Sequence, residues 1–236
     1  MDAIQQQIYD LVKKANPDNP LAFALNSVKP LAKLRLDDCI SCCDACNICD
    51  AKQKTITYGN PNAPIMIIGE SCSEEQYGED CIPLDDKYGV LLKETLNELN
   101  VTKDSVFYTN SVNCFPYRYV KEKIVGRAPT VQERKNCKVF LDYAIDMVRP
   151  LLIICLGAVA VNSINEEIGM SNINNIRGEY FTYRDLPVMP TYHPKFFMND
   201  YNDEELNEEY KKKFKDDITK AINWVNEEYP NLNICL

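Results

Sequence analysis

The chain has 236 residues, enough for one globular domain with modest additions, and 45% of them are hydrophobic. A net charge of −9 argues against a surface that binds nucleic acid indiscriminately, although a local basic face remains compatible with it. The longest apolar runs are about six residues, too short to cross a membrane, and no signal peptide or lipidation motif is visible, so a cytoplasmic protein is expected.

In chain order, Ile4, Ile8, Leu11 and Val12 form a helical stripe over 4–15 that Pro17 and Pro20 end. A second helical stretch covers about 21–36, with a break expected near Pro30. A cysteine-rich loop follows. Residues 64–69 are a short apolar run ending in glycine, the pattern of a buried parallel strand. Leu91, Leu92, Leu96 and Leu99 place a helix over 88–99, and 105–112 reads as a strand. Thr130 and Glu133 form a capping box at the start of a helix running to 148. A second buried strand covers 151–156 and turns at Gly157 into a helix over 158–164. A further strand covers 186–192, and a last helix 203–226. Its start is acidic (Asp203, Glu204, Glu205, Glu208, Glu209) and Lys211, Lys212, Lys213 and Lys215 follow, the order a helix dipole prefers; a solvated helix start is expected there. Strands alternating with helices imply a parallel sheet covered on both faces, with ligands at the carboxyl ends of the strands. Those ends carry Glu70, Asn110 and His193, the only histidine.

Eleven cysteines, an odd number, argue against a secreted disulfide framework. Cys155, inside an apolar run, and Cys235 suit core positions. Cys39, Cys42, Cys43, Cys46 and Cys49 do not, because they lie among Asp37, Asp38, Ser41, Asp44 and Asn47. Their C-x2-C pairs put two thiolates on one tight turn, the spacing of a metal site; a zinc ion on four cysteines and an iron–sulfur cluster share it.

Several ordered motifs resemble the uracil-DNA glycosylase superfamily, and within it the iron–sulfur-containing branch called family 4. They are Cys43-x2-Cys46 with Asn60 after it, Gly69-Glu70, Asn110-x3-Cys114-x-Pro116, and Gly126-Arg127-Ala-Pro129-Thr130 with Glu133 and Cys137. Pro150, Leu156-Gly157 and Ala160 follow, then Arg177-Gly178 and Thr191-Tyr-His193-Pro194. Together they span roughly 43–197. The resemblance implies a three-layer α/β/α fold with a central, mainly parallel four-stranded sheet, carried by residues 39–236 behind an N-terminal helical extension, 1–38.

It further implies a [4Fe–4S] cluster on Cys43, Cys46, Cys114 and Cys137, with Cys39, Cys42 and Cys49 as additional thiols. The implied activity is excision of uracil or a related base from single- or double-stranded DNA. Glu70 would orient water, His193 would stabilise the leaving base, and Asn110, Leu84 and Ser71 would contact it. Arg118, Lys121, Lys123, Arg127 and Lys195 would hold DNA. A monomer is expected, with a replication or repair protein as a further partner.

Some positions depart from the family pattern. Ser71-Cys72-Ser73 replaces a small residue, Pro and Gly. Leu84 stands where a phenylalanine stacks on the base, and Tyr77 or Tyr88 are candidates to supply the missing ring. Asn113 stands where the family has a lysine, and Lys195 where it has a serine. The segment 117–127 is about seven residues longer than the family's loop and interleaves basic residues with tyrosines, which suits either a nucleic-acid surface or a solvated loop. A catalytically inactive glycosylase-fold protein, acting as a DNA-binding or replication-accessory subunit, is the alternative to an enzyme.

Overall fold

A computed structural model describes residues 20–48, 54–73, 82–169, 172–198, 203–232 and 234–235. The helix expected over 4–15 lies outside them. Ten elements build the frame around the site: α1 (Pro20–Ser41), β1 (Tyr58–Gly59), β2 (Ile65–Gly69), α2 (Lys87–Glu98), β3 (Val106–Asn110), β4 (Tyr117–Val120), β5 (Lys123–Gly126), α3 (Val131–Val148), β6 (Leu152–Leu156) and α4 (Gly157–Ile164). Then come two single-turn helices, α5 (Glu166–Gly169) and α6 (Ile173–Ile176), β7 (Phe181–Tyr183), β8 (Leu186–Thr191) and α7 (Glu204–Glu228).

The main sheet has the order β1-β3-β2-β6-β8-β7. Its four central strands are parallel, as the sequence implied. Two short antiparallel strands, β1 on β3 and β7 on β8, extend it to six. Both are two or three residues long, below the length at which alternation can be read.

Successive residues of a strand point to opposite faces, and the core divides accordingly. Ile65, Ile67 and Ile154 pack with Leu92 and Leu96 of α2 and with Phe214, Ile218 and Ile222 of α7. Met66, Ile68, Ile153 and Cys155 pack on the other side with Leu36 and Ile40 of α1, Leu141 and Ile145 of α3, and Val161 of α4. Strands apolar on both faces belong between two helical layers, which is why 65–68 and 152–156 are unbroken apolar runs. Burial pushes the Cys155 thiol pKa up, as expected of a core cysteine.

Two expectations need correction. Helix α1 is not broken at Pro30 but runs through it to Ser41, so Cys39 is helical rather than in a loop. Pro30 is exposed, so the hydrogen bond it removes lies on the solvent side, while Leu36 and Ile40 anchor the following turns. The segment 117–127 is not an irregular loop either. It is a two-stranded hairpin, β4–β5, closed by Lys121 and Glu122 with φ of 47° and 66°. Tyr117, Tyr119, Val120, Ile124 and Val125 favour strands, but the turn lacks the Gly or Asn that usually marks such a hairpin.

Helix α3 opens on the expected capping box. The Thr130 hydroxyl accepts from Glu133 N–H at 3.2 Å, and the Glu133 carboxylate accepts from Thr130 N–H at 2.7 Å. The same carboxylate takes a forked pair from Arg127, at 2.8 and 2.6 Å, and Arg127 Nε donates to Tyr117 O at 3.0 Å. One buried carboxylate therefore starts the helix and pins the base of the hairpin. Thr130→Ala should cost about 1 kcal/mol, lowering the thermal midpoint by about 2–4 °C. Glu133→Ala should cost more, because it also strands Arg127. Equal midpoints for Glu133→Ala and Thr130→Ala would show that the Arg127 pair contributes nothing.

Candidate active site

The carboxyl ends of β2, β3, β6 and β8 meet at one end of the sheet. Gly69 on β2 is registered with Asn110 on β3, and Leu156 on β6 with Thr191 on β8. Ser111 continues the first pair, donating both its N–H and its hydroxyl to Gly69 O at 2.9 Å. Val112 N–H donates to Glu70 O at 3.0 Å, fixing the backbone from which the Glu70 carboxylate projects.

Two glycines make room. A Cβ on Gly69 would come within 2.4 Å of Asn110 Oδ1. A Cβ on Gly157, whose φ is +83°, would come within 2.9 Å of His193 Cβ. These are the glycines of Gly69-Glu70 and Leu156-Gly157, so both motifs exist to let a strand end close on a polar side chain.

Asn110 is 2% exposed, and neither its amide nitrogen nor its amide oxygen has a hydrogen-bond partner within the protein. A buried amide unpaired at both ends is costly and rare in a finished core; here it sits at the strand-end position where ligands bind. Leu84 lies next to it: its Cδ2 would touch a Cβ on Gly69 at 3.3 Å, and the side chain is 6% exposed. Leu84 has a left-handed backbone (φ 59°), and its turn leads into α2, where the Asp86 carboxylate caps Tyr88 and Gly89 N–H at 3.0 Å.

His193 ends the β8 segment. Its Nδ1 accepts Lys195 N–H at 3.2 Å, so in the neutral ring the proton sits on Nε2, which is left as the donor. Burial, and then the Lys195 charge, push its pKa down to about 4. Glu70 moves the other way: burial raises its pKa, while Lys195 and Arg134 pull it down. Tyr88 meets the His193 ring edge-on at 6.3 Å. The strand end itself is held from behind. Asp217 of α7 accepts from Thr191 Oγ1 at 2.6 Å and from Arg177 Nε at 2.9 Å.

A cleft of about 360 Å³ is lined by Glu70, Ser71, Tyr88, Phe115, Arg127 and Lys195 among others. Most of the expected site residues therefore converge. Glu70, Ser71, Arg127 and Lys195 line the cleft, Asn110 and His193 lie at the strand ends, and Leu84 reaches Gly69 and Asn110 from the turn before α2. Arg127 spends four of its five N–H donors on Tyr117 O, Ala128 O and Glu133, so most of its capacity anchors the hairpin. Arg118, Lys121 and Lys123 stand out on that hairpin, away from the strand ends. Sequence reasoning did not single out Phe115 or Arg134. Phe115, between Cys114 and Pro116, offered no signal beyond its place in that motif.

The cysteines form a second centre. Cys46, Cys114 and Cys137 share one buried cluster with Ile48 and Val112. Lys54 Nζ donates to Ser41 O at 3.0 Å and to Cys43 O, while Lys54 bridges Cys114 through the backbone. Asn136 Nδ2 donates to Ala45 O at 2.9 Å and contacts Cys46 Sγ at 3.3 Å. The chain around 43–46 is thus tied to Cys114 and to α3 beside Cys137. Cys39 and Cys42 are exposed, and Cys49 lies outside the described residues. Among the described residues no three His, Cys, Asp or Glu side chains converge as a single metal ion would require. Four thiolates are a donor set that a zinc ion or an iron–sulfur cluster can take.

Fold and site define a class: a three-layer α/β/α domain with a carboxylate, an amide and an imidazole at the carboxyl ends of its parallel strands. Residues 56–219 match the family described as the uracil DNA glycosylase superfamily. Over 182 residues the chain is 30% identical to a type-4 uracil-DNA glycosylase of Sulfurisphaera tokodaii, covering 74% of this chain and 79% of that protein. It is 31% identical over 160 residues to one from Saccharolobus solfataricus (64% and 70%) and 27% identical over 188 residues to one from Thermotoga maritima (79% and 91%). The chain belongs to the uracil DNA glycosylase superfamily.

The His193 environment has a measurable consequence. An unfolded histidine takes up a proton as pH falls through about 6.5, whereas folded His193 does so only near 4. Between these values the unfolded state binds more protons. Stability that is full above pH 6.5 should therefore fall on acidification, by up to about 3 kcal/mol near pH 4. Glu70, with its raised pKa, acts in the opposite sense. His193→Gln, which does not titrate, should lose stability less steeply from pH 6.5 to 4 in denaturant titrations. Identical slopes would place the imidazole in solvent.

Proposed function

We propose that this chain excises uracil from DNA by hydrolysing the bond between the base and deoxyribose. The buried, unpaired Asn110 amide carries the reading. An amide oxygen that accepts, beside an amide nitrogen that donates, matches the N3–H and O4 edge of uracil; cytosine offers the reverse pattern. The base must leave the stack to reach this amide. As the C1′–N1 bond breaks, its electron pair goes to the uracil ring and charge grows on uracil O2, where neutral His193 donates from Nε2. The sugar becomes cationic. Ionised Glu70, favoured by Lys195 and Arg134 against its own burial, faces that charge and orients the water that attacks C1′. Ser71 lines the same cleft, and Lys195 draws the DNA backbone toward it. Tyr88 supplies the aromatic surface that Leu84 does not; Tyr77 lies outside the described residues.

Cys43, Cys46, Cys114 and Cys137 hold a [4Fe–4S] cluster in this reading. When bound, the group serves structure, crosslinking the end of α1 to the β3 exit and to α3. Iron in the anaerobically purified, brown protein is the expected result, and Cys137→Ser should lose iron and thermal stability together. Zinc without iron would sink the assignment.

A second reading, a DNA-binding or replication-accessory subunit without catalysis, draws on Leu84, packed into the core where a stacking ring is missing. Single-turnover assays on uracil-containing single- and double-stranded DNA, with abasic sites revealed by alkali, separate the two. Cleavage is expected. His193→Ala should slow it by roughly 10²-fold with DNA affinity little changed, since the imidazole acts mainly in the transition state. Asn110→Ala should also blunt discrimination between uracil and cytosine. DNA binding with no abasic sites on any uracil substrate would leave the second reading standing.

A further inference from the structure

The β4–β5 hairpin has two unlike faces. Its register pairs Tyr117 with Gly126, Arg118 with Val125, Tyr119 with Ile124 and Val120 with Lys123. Alternation puts Tyr117, Tyr119 and Ile124 on one face, and Arg118, Val120 and Lys123 on the other. The first face begins in the cleft. Phe115 lines the cleft wall and stacks on Tyr117, with ring centroids 6.2 Å apart and planes at 22°. Tyr117 meets Tyr119 edge-on at 5.6 Å. The three rings climb from the core into water: Phe115 is 2% exposed and Tyr119 65%.

The core does not account for a tyrosine that exposed. The hairpin's cationic side chains, Arg118 and Lys123 on the other face and Lys121 at the turn, are all exposed, with Glu122 the only acid among them, on a chain whose net charge is −9. The root of the hairpin is fixed to α3 through Arg127 and Glu133, so the rings project from a firm base. An aromatic face continuous with a cleft that would receive an extruded base, with cations at its turn and on its reverse, complements a strand with bare bases and charged phosphates. Paired bases in a duplex have their faces covered by their neighbours; only unpaired bases offer one to Tyr119.

We propose that the hairpin is a stacking platform for single-stranded DNA: Tyr119 stacks on an unpaired base flanking the target nucleotide, and the strand turns over the hairpin's edge, where Lys121 at the turn and Arg118 and Lys123 on the reverse face take its further phosphates. This rests on the glycosylase reading for the position of the target.

Binding is measured by fluorescence anisotropy with the full chain, on a uracil-containing oligonucleotide alone and annealed to its complement. Tyr119→Ala should weaken single-strand binding about 5- to 100-fold, with a smaller loss on the duplex, and Tyr119→Phe should restore it, because stacking needs the ring and not the hydroxyl. Replacing Arg118, Lys121 and Lys123 together by Ala should flatten the single-strand log–log salt slope by about two. A 2-aminopurine beside the target should be quenched by the parent and by Tyr119→Phe, but not by Tyr119→Ala. Parent-like single-strand affinity in Tyr119→Ala, or equal losses on both substrates, would overturn the platform. Uracil excision is followed in the same samples. Excision without Tyr119 dependence removes the platform alone; Tyr119-dependent binding without excision removes the catalytic reading and leaves the platform.

Discussion

The molecule's central constraint is one buried amide with no partner in the protein. Burying a polar group without a partner costs roughly 1–3 kcal/mol even on scales taken from proteins, and Asn110 leaves two such atoms unmet. A small domain tolerates this only if the surroundings leave the side chain no alternative. Gly69 supplies that condition from one side, because anything larger would collide with the amide oxygen. Leu84 closes over the same spot, and the paired bonds from Ser111 to Gly69 lock the two strand ends together. A ligand that satisfies both atoms therefore offsets that cost, and a ligand with the reversed pattern does not. Selectivity of this kind comes from the protein's own unmet bonds more than from contacts added by the ligand.

Around that amide the electrostatics are divided between two groups that burial drives in opposite directions. Desolvation disfavours charge on both Glu70 and His193, raising one pKa and lowering the other. For the imidazole the result is useful as it stands: a neutral ring with its proton directed to Nε2. For the carboxylate it is not, and Lys195 and Arg134 partly counter it. The lysine beside His193, a departure from the family pattern, thus acts on both groups, adding to burial in lowering the ring's pKa and partly opposing burial on the carboxylate.

The parts of this arrangement that were legible in the sequence are those written in local chemistry. The apolar runs at 65–68 and 152–156 could only be buried strands. Thr130 and Glu133 announced their helix, and Glu70, Asn110 and His193 ended segments that had to be parallel. What stayed hidden depends on tertiary context. Strand β1 is two residues pinned to β3, too short to carry a pattern. Helix α1 passes through Pro30 because Leu36 and Ile40 are gripped by the core beyond it. The hairpin turn is made by Lys121 and Glu122, which no turn preference favours, so its strands looked like loop. The double duty of Glu133, as helix cap and as clamp on Arg127, was half visible: the cap is a local motif, whereas the clamp needs the fold.

The Asp217 carboxylate that holds Thr191 and Arg177 lies on α7, well after the segment it steadies. A chain leaves the ribosome amino end first, and domains generally fold as units. The strand that presents His193 is therefore made before the residue that pins it. Only when α7 docks does the end of β8 acquire its anchor, so completion of this site waits on a helix made after the strand it steadies.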